Sequence, residues 1–129
     1  MPSADRILVV EDERVLAQNV KAYLSRRCPD VRIAADGRRA MEMIASFSPD
    51  VVVLDYGLPW KNGLQFYREM VRRGAHLPAC VMITGYPLEN LAPPASRAGI
   101  HYLLCKPFSL ADLQHLIDRS AEEASRVWH

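Results

Sequence analysis

The chain has 129 residues, 50% of them apolar and 24% charged, and a net charge of +1. That length fits one domain with a substantial core, and so even a charge balance gives no sign of a nucleic-acid patch or an acidic tail. No apolar stretch reaches the ~20 residues a membrane-spanning helix needs and no leader pattern opens the chain, so the expected compartment is the cytoplasm.

The first apolar run, Ile7-Leu8-Val9-Val10, ends on Glu11 and Asp12. Val15, Leu16, Val20, Tyr23 and Leu24 then recur at helical spacing up to about Arg27. A weaker strand is expected from Val31 to Ala35, after which Asp36-Gly37 turns the chain into a helix with Ala40, Met41, Ile44 and Phe47 on its apolar face. Ser48-Pro49-Asp50 stops that helix, and the run Val51-Val52-Val53-Leu54 follows at once and ends on Asp55. Gly63 opens a helix carrying Leu64, Tyr67, Met70 and Val71, and Gly74 closes it. Val81-Met82-Ile83 leads into Thr84. A fourth helix should come next, but Pro87, Pro93 and Pro94 fall there. Proline inside a helix costs ~3 kcal/mol or more, so this helix is expected to start at Pro93 or Pro94 and to be short. A last strand, about Tyr102 to Cys105, runs into Lys106-Pro107, and Ser109 caps a final helix with Leu110, Leu113, Leu116 and Ile117 on one face. This alternation predicts a parallel sheet covered on both faces, and right-handed crossovers put its first and third strands together at the centre. The chain has no internal repeat and no low-complexity linker.

Four of the runs end on polar residues that a phosphoryl-transfer site needs. In a parallel sheet their carboxyl ends lie side by side, where ligands bind in open α/β folds. Glu11, Asp12, Asp55, Thr84 and Lys106 would then share one pocket. Three acids repel one another there unless a cation sits among them, since two charges ~4 Å apart at an intermediate dielectric interact by about 4 kcal/mol. An all-oxygen site with room left for water and phosphate suits magnesium, and manganese could substitute. The plainer reading, that Asp12 or Glu13 only caps the first helix at its positive pole, leaves Asp55 unexplained. A carboxylate can accept a phosphoryl group as an acyl phosphate, which makes Asp55 the candidate nucleophile. The transition-state charge spreads over the equatorial oxygens, and a metal, Lys106 and the Thr84 hydroxyl would each take one. Pro107 favours an extended or turn geometry at Lys106, and the bond between them can be cis.

Other conspicuous residues have quieter readings. Cys28, Cys80 and Cys105 lack metal-type spacing and read as buried thiols. Met41, Met43, Met70 and Met82 suit packing. His76, His101, His115 and His129 show no zinc spacing. Arg26-Arg27 and Arg72-Arg73 read as solvated helix ends, and Trp60 is a candidate partner contact.

Five short motifs occur in order: Ile7-Leu8-Val9-Val10-Glu11-Asp12-Glu13; Val53-Leu54-Asp55-Tyr56-Gly57-Leu58-Pro59 with Gly63; Ile83-Thr84-Gly85; Ala98-Gly99; and Lys106-Pro107-Phe108. Through them the chain resembles, over nearly its whole length, the receiver domain of two-component response regulators, the CheY-like superfamily. The resemblance implies a single flavodoxin-like (βα)5 domain with strand order 2-1-3-4-5, its core about residues 5–125, with 126–129 as a tail or the start of a linker. It implies that Asp55 takes a phosphoryl group from a histidine kinase or phosphotransfer protein. It further implies that Asp12, Asp55 and the Gly57 carbonyl bind Mg2+ directly, that Glu11 acts mainly through water, and that Lys106 and Thr84 hold the phosphoryl group.

Three departures bear on output. The position three before the lysine, often an aromatic that swings inward in this family, is Leu103, and Tyr102 is expected on the opposite side of the strand. The altered fourth helix changes the face of helix four, strand five and helix five through which receivers often dimerise or bind targets, so the common dimer is not assumed. Gly57 and Tyr86 flank the pocket, and Tyr86 either shields the acyl phosphate or lies on the surface. A phosphohydrolase with an aspartyl intermediate would carry a second acid two residues after Asp55, where this chain has Gly57. A flavin-binding module of the same architecture would meet repulsion from Glu11 and Asp12. The expectation is a regulatory phosphoacceptor without turnover catalysis and without direct contact to nucleic acid or membrane. It is either a stand-alone receiver or the front of a longer transcriptional regulator or hybrid kinase, and Trp128 mildly favours a continuation or a docking role.

Overall fold

The computed structural model describes residues 4–59, 61–74 and 77–127. Trp60, His76, Trp128 and His129 lie outside the described residues. Five strands alternate with five helices: β1 (Arg6–Val10), α1 (Arg14–Leu24), β2 (Asp30–Ala34), α2 (Gly37–Phe47), β3 (Val51–Asp55), α3 (Gly63–Arg72), β4 (Ala79–Thr84), α4 (Leu88–Ala98), β5 (Tyr102–Cys105) and α5 (Leu110–Val127). All strand pairs are parallel, in the order β2-β1-β3-β4-β5. The flavodoxin-like expectation is met.

Side chains on successive strand residues point to opposite faces, and that alternation divides the core in two. Leu8, Val10, Val52, Leu54 and Met82 pack under α2, α3 and α4 with Ile44, Phe66 and Leu91. Ile7, Val9, Val51, Val53, Val81 and Ile83 pack under α1 and α5 with Val20, Leu24, Leu113 and Ile117. With both faces covered, the central strands β1 and β3 have no polar side and read as continuous aliphatic runs. β5 lies at the sheet edge, and all its residues are half-buried.

Local signals set several helix ends. The Asp36 carboxylate accepts from Arg39 N–H at 2.7 Å at the start of α2. Asn62 and Gln65 form a reciprocal capping box at the start of α3, each side chain accepting from the other's N–H at 2.9 Å. Gly74 (φ +67°) lies just past α3, and Gly99 (φ +105°) caps α4, both in the left-handed region where a Cβ is costly. Ser109 Oγ accepts from Asp112 N–H at 3.0 Å at the start of α5.

The fourth helix corrects the expectation from proline. α4 starts at Leu88, several residues before Pro93, and both Pro93 and Pro94 lie inside it. Its first turn is closed by the Pro87 carbonyl, which accepts from Asn90 N–H at 3.2 Å and Leu91 N–H at 3.3 Å. Leu91 and Ala95 then bury one face against the sheet. The carbonyls deprived of a donor by the prolines are those four residues back, on Glu89 and Asn90. Both residues are exposed, so water can satisfy them. Burial of the apolar face outweighs a local cost that solvent softens.

Candidate functional site

Strand register gathers the polar residues. Val10 pairs with Leu54, so Glu11 and Asp55, each next in chain, emerge together from the centre of the sheet. Asp12 follows, and one carboxylate oxygen from each of Glu11, Asp12 and Asp55 lies within 4.8 Å of the others. Glu11 and Asp55 are only 1% and 4% exposed, whereas Asp12 is open to solvent. Lys106, just past β5, reaches over them with Nζ 3.3 Å from Glu11 Oε1 and 3.4 Å from Asp55 Oδ2.

The electrostatics follow from this crowding. Burial pushes the Glu11 carboxyl up to about 7; Asp55 adds to the rise, while the Glu13 N–H donated to Glu11 at 3.0 Å and the Lys106 charge oppose it. Burial also acts to lower the Lys106 pKa, but the Asp55 and Glu11 charges more than offset it and hold the ammonium above the ordinary lysine range. One ammonium cannot balance three carboxylates. The excess negative charge, the all-oxygen donor set and the open Asp12 side fit a hard divalent cation.

Asp55 is held from both sides. Its Oδ1 accepts from Gly57 N–H at 3.1 Å, and its Oδ2 faces Lys106. Thr84 is fully buried at the end of β4, and its Oγ1 accepts from Tyr86 N–H at 2.8 Å. That bond leaves the hydroxyl proton free to be donated elsewhere. Lys106 N–H donates to the Thr84 carbonyl at 2.7 Å, which ties the lysine's backbone to the threonine's, and the Lys106–Pro107 peptide is cis. Glu13 occupies the N-cap position of α1, but its side chain makes no cap bond there. Capping therefore does not account for the acids of this loop.

Gly63 contributes something its place as a helix opener did not announce. A Cβ there would stand 2.9 Å from the Asp55 carbonyl oxygen and from Tyr56 Cα, and 3.0 Å from Met82 Cε. Only glycine lets α3 begin this close behind β3, where Gly63 N–H donates to the Tyr56 carbonyl at 2.7 Å. The Asn62 capping box was likewise missed, although Asn followed three residues later by Gln was visible in the sequence.

The flanking residues settle into definite places. Tyr86 is 60% exposed and packs edge-on against Tyr56, ring centroids 5.3 Å apart at 84°, which matches the surface reading and adds an aromatic partner. Leu103 packs on the α4 side of the sheet, whereas Tyr102 lies on the other side and its hydroxyl bonds Glu123, as the strand alternation predicts. Cys28 and Cys80 are buried, and burial pushes the Cys80 thiol up to about 12. Cys105 is only half-buried, a correction that follows from its edge strand.

Known proteins resemble this chain in sequence and in fold. The family model described as the response regulator receiver domain matches residues 7–118. Response regulator MprA of Mycolicibacterium vanbaalenii is 38% identical over 108 residues, which cover 84% of this chain and 46% of that protein. The chain thus spans less than half the length of this relative. A solved response regulator receiver domain protein of Clostridium thermocellum superposes with a TM-score of 0.84 at 26% identity, covering 95% of this chain and 98% of that one. A CheY-like receiver domain protein of Methanospirillum hungatei gives 0.84 at 25% identity over 96% and 98% of the two chains.

Proposed function

Because this chain belongs to the response regulator receiver family, we propose that Asp55 is its phosphoacceptor, charged by a histidine kinase or phosphotransfer protein. The supporting observation is the buried Asp55 carboxylate, with Lys106 Nζ 3.4 Å away and the oxygens of Glu11 and Asp12 within 4.8 Å. An Asp55 oxygen attacks phosphorus as the bond to the donor's histidine nitrogen breaks; that nitrogen keeps the electron pair, and an acyl phosphate remains on Asp55. Asp12, Asp55 and the Gly57 carbonyl would hold Mg2+, or Mn2+ in its place, with Glu11 acting through water. Bound there, the ion supplies charge neutralisation at the phosphoryl oxygens. Lys106 exchanges its pairing with the Asp55 carboxylate for a phosphoryl oxygen, and the Thr84 hydroxyl donates to another.

This reading is of a regulatory switch rather than a turnover enzyme. Gly57, two residues past the nucleophile, offers no acid to protonate a leaving group. Loss of the phosphoryl group is then slow self-hydrolysis. The output is a change in binding, to a separate partner or to a further domain of a longer regulator, with the α4, β5 and α5 face as one candidate surface. Among the described residues no helix is long and apolar enough to cross a membrane. We place the site of action in the cytoplasm on the strength of the proposed donor.

The test is labelling by radioactive acetyl phosphate with Mg2+. The wild-type chain takes up alkali-labile label, and Asp55→Asn keeps the fold by circular dichroism yet takes up none. Label on Asp55→Asn at the wild-type level would overturn the assignment.

A further inference from the structure

Charge is divided unevenly over this molecule. The helices α2, α3 and α4, with Lys61 and Arg73 at the two ends of α3, carry seven cationic and three anionic side chains, a net +4 against +1 for the whole chain. Two grooves lie on this same face, one on each side of α3, and not over the acidic cluster. A groove of about 440 Å³ between α2 and α3 has apolar lining from Met41, Ala45, Leu58 and Phe66, and its charged lining is Arg38, Lys61 and Arg73 with Glu42 and Glu69, a net +1. A second, of about 660 Å³ between α3 and α4, presents Val71 and Ala98 between Arg68 and Arg72. α3 thus stands as a basic ridge between two apolar troughs.

The arginines of the ridge are not consumed by the fold. Lys61 and Arg73 both pair with Glu69, but among the described residues Arg38, Arg68 and Arg72 have no carboxylate partner. Arg68 and Arg72 are one helical turn apart on an exposed face, a like-charge spacing that disfavours an isolated helix. Between them Val71 leaves 45% of its surface in water. A nucleic-acid backbone would use the arginines and waste the apolar floors. A segment with carboxylates flanking aliphatic side chains uses both, and an amphipathic helix laid in a groove presents such a pattern.

We propose that the α3 ridge and its two grooves form a docking surface for an acidic amphipathic segment of a protein partner. The aliphatic side chains of that segment seat in the α2–α3 groove, over Leu58 and Phe66, and its carboxylates pair with Arg38, Arg68 and Arg72. This surface lies outside the carboxylate site and does not depend on the reading of Asp55.

The experiment titrates the isotope-labelled chain with peptides of ~16 residues, about four helical turns, and follows amide shifts by NMR. The probes are a peptide of Glu and Leu at amphipathic spacing, a Glu and Ser peptide of equal charge, and a single-stranded DNA oligomer of similar length. The Glu and Leu peptide is expected to shift amides of α2, Lys61 and α3, to bind about tenfold tighter than either control, and to weaken as salt rises from about 50 to about 300 mM. Arg68→Glu combined with Arg72→Glu is expected to weaken it about tenfold while leaving Asp55 labelling intact. Equal binding by the Ser peptide or the oligomer would reduce the face to a general polyanion surface and overturn the proposal. So would shifts confined to α1 and α5, no binding at millimolar peptide, or concentration-dependent shifts of the ridge without peptide, which would make the occupant a second copy.

Discussion

Glu11 gives the site a pH signature. Its carboxyl, 1% exposed, is pushed from the ordinary 4.5 up to about 7, first by burial and then by Asp55. Since the folded pKa lies above the unfolded one, the folded chain binds the extra proton between these values. The Glu11 contribution to stability is therefore full below about 4.5, falls as pH rises to about 7 and is lost above it, by about 3 kcal/mol over the window. A divalent ion relieves the charge in place of the proton. Thermal unfolding is thus expected to show Mg2+ stabilising the protein clearly at pH 8 and hardly at pH 5, and Glu11→Gln should flatten the metal-free pH slope. An unchanged slope in Glu11→Gln would remove Glu11 from this account. Lys106 moderates the strain without ending it, being a single charge set against three carboxylates.

The elements differ in how firmly they are held. β1 and β3 are buried on both faces and carry the acids, so the positions of Glu11 and Asp55 share the stability of the central sheet. α4 has only Leu91 and Ala95 fully buried and has lost two backbone hydrogen bonds to Pro93 and Pro94. A helix held by so few buried side chains opens locally at lower cost than the central sheet. Replacing both prolines by alanine restores the two donors and also frees the unfolded chain, a smaller effect of opposite sign. The expected net result is a gain of about 2 kcal/mol, read by urea unfolding, with slower amide exchange at Leu91 and Ala95. Lower stability, or faster exchange in α4, would show that the prolines are suited to this helix. β5, next to α4, presents Leu103 on that side where an aromatic would offer a larger change of surface.

At the scale of the whole molecule, the fold brings the carboxyl ends of β1, β3, β4 and β5 side by side and leaves the α4, β5 and α5 face with an unusual helix. Loading with Mg2+ and beryllofluoride, a mimic of the phosphoryl group, is expected to leave the chain monomeric by light scattering, at 14.6 kDa. Doubling of that mass would show that this face self-associates in spite of α4. The architecture was legible from sequence because its signals are local: aliphatic runs for the central strands, 3.6-residue periodicity for the helices, Gly74 and Ser109 at helix ends. The candidate site was legible for a related reason, since Glu11, Asp55, Thr84 and Lys106 each follow a run whose direction a parallel sheet dictates. Other features belong to no single segment. The extent of α4 was misjudged because propensity counts the cost of Pro93 and Pro94 at once, whereas the burial of Leu91 and Ala95 against the sheet exists only after folding. The spacing role of Gly63 depends on Asp55, Tyr56 and Met82 lying behind it, and the raised Glu11 carboxyl depends on burial beside Asp55. Sequence by itself determined the order of elements and the chemical kinds of the residues at the strand ends, because those rest on pattern and neighbours along the chain. Only the tertiary structure decided distances, burial and the basic ridge of α3, because these come from surfaces that distant segments press together.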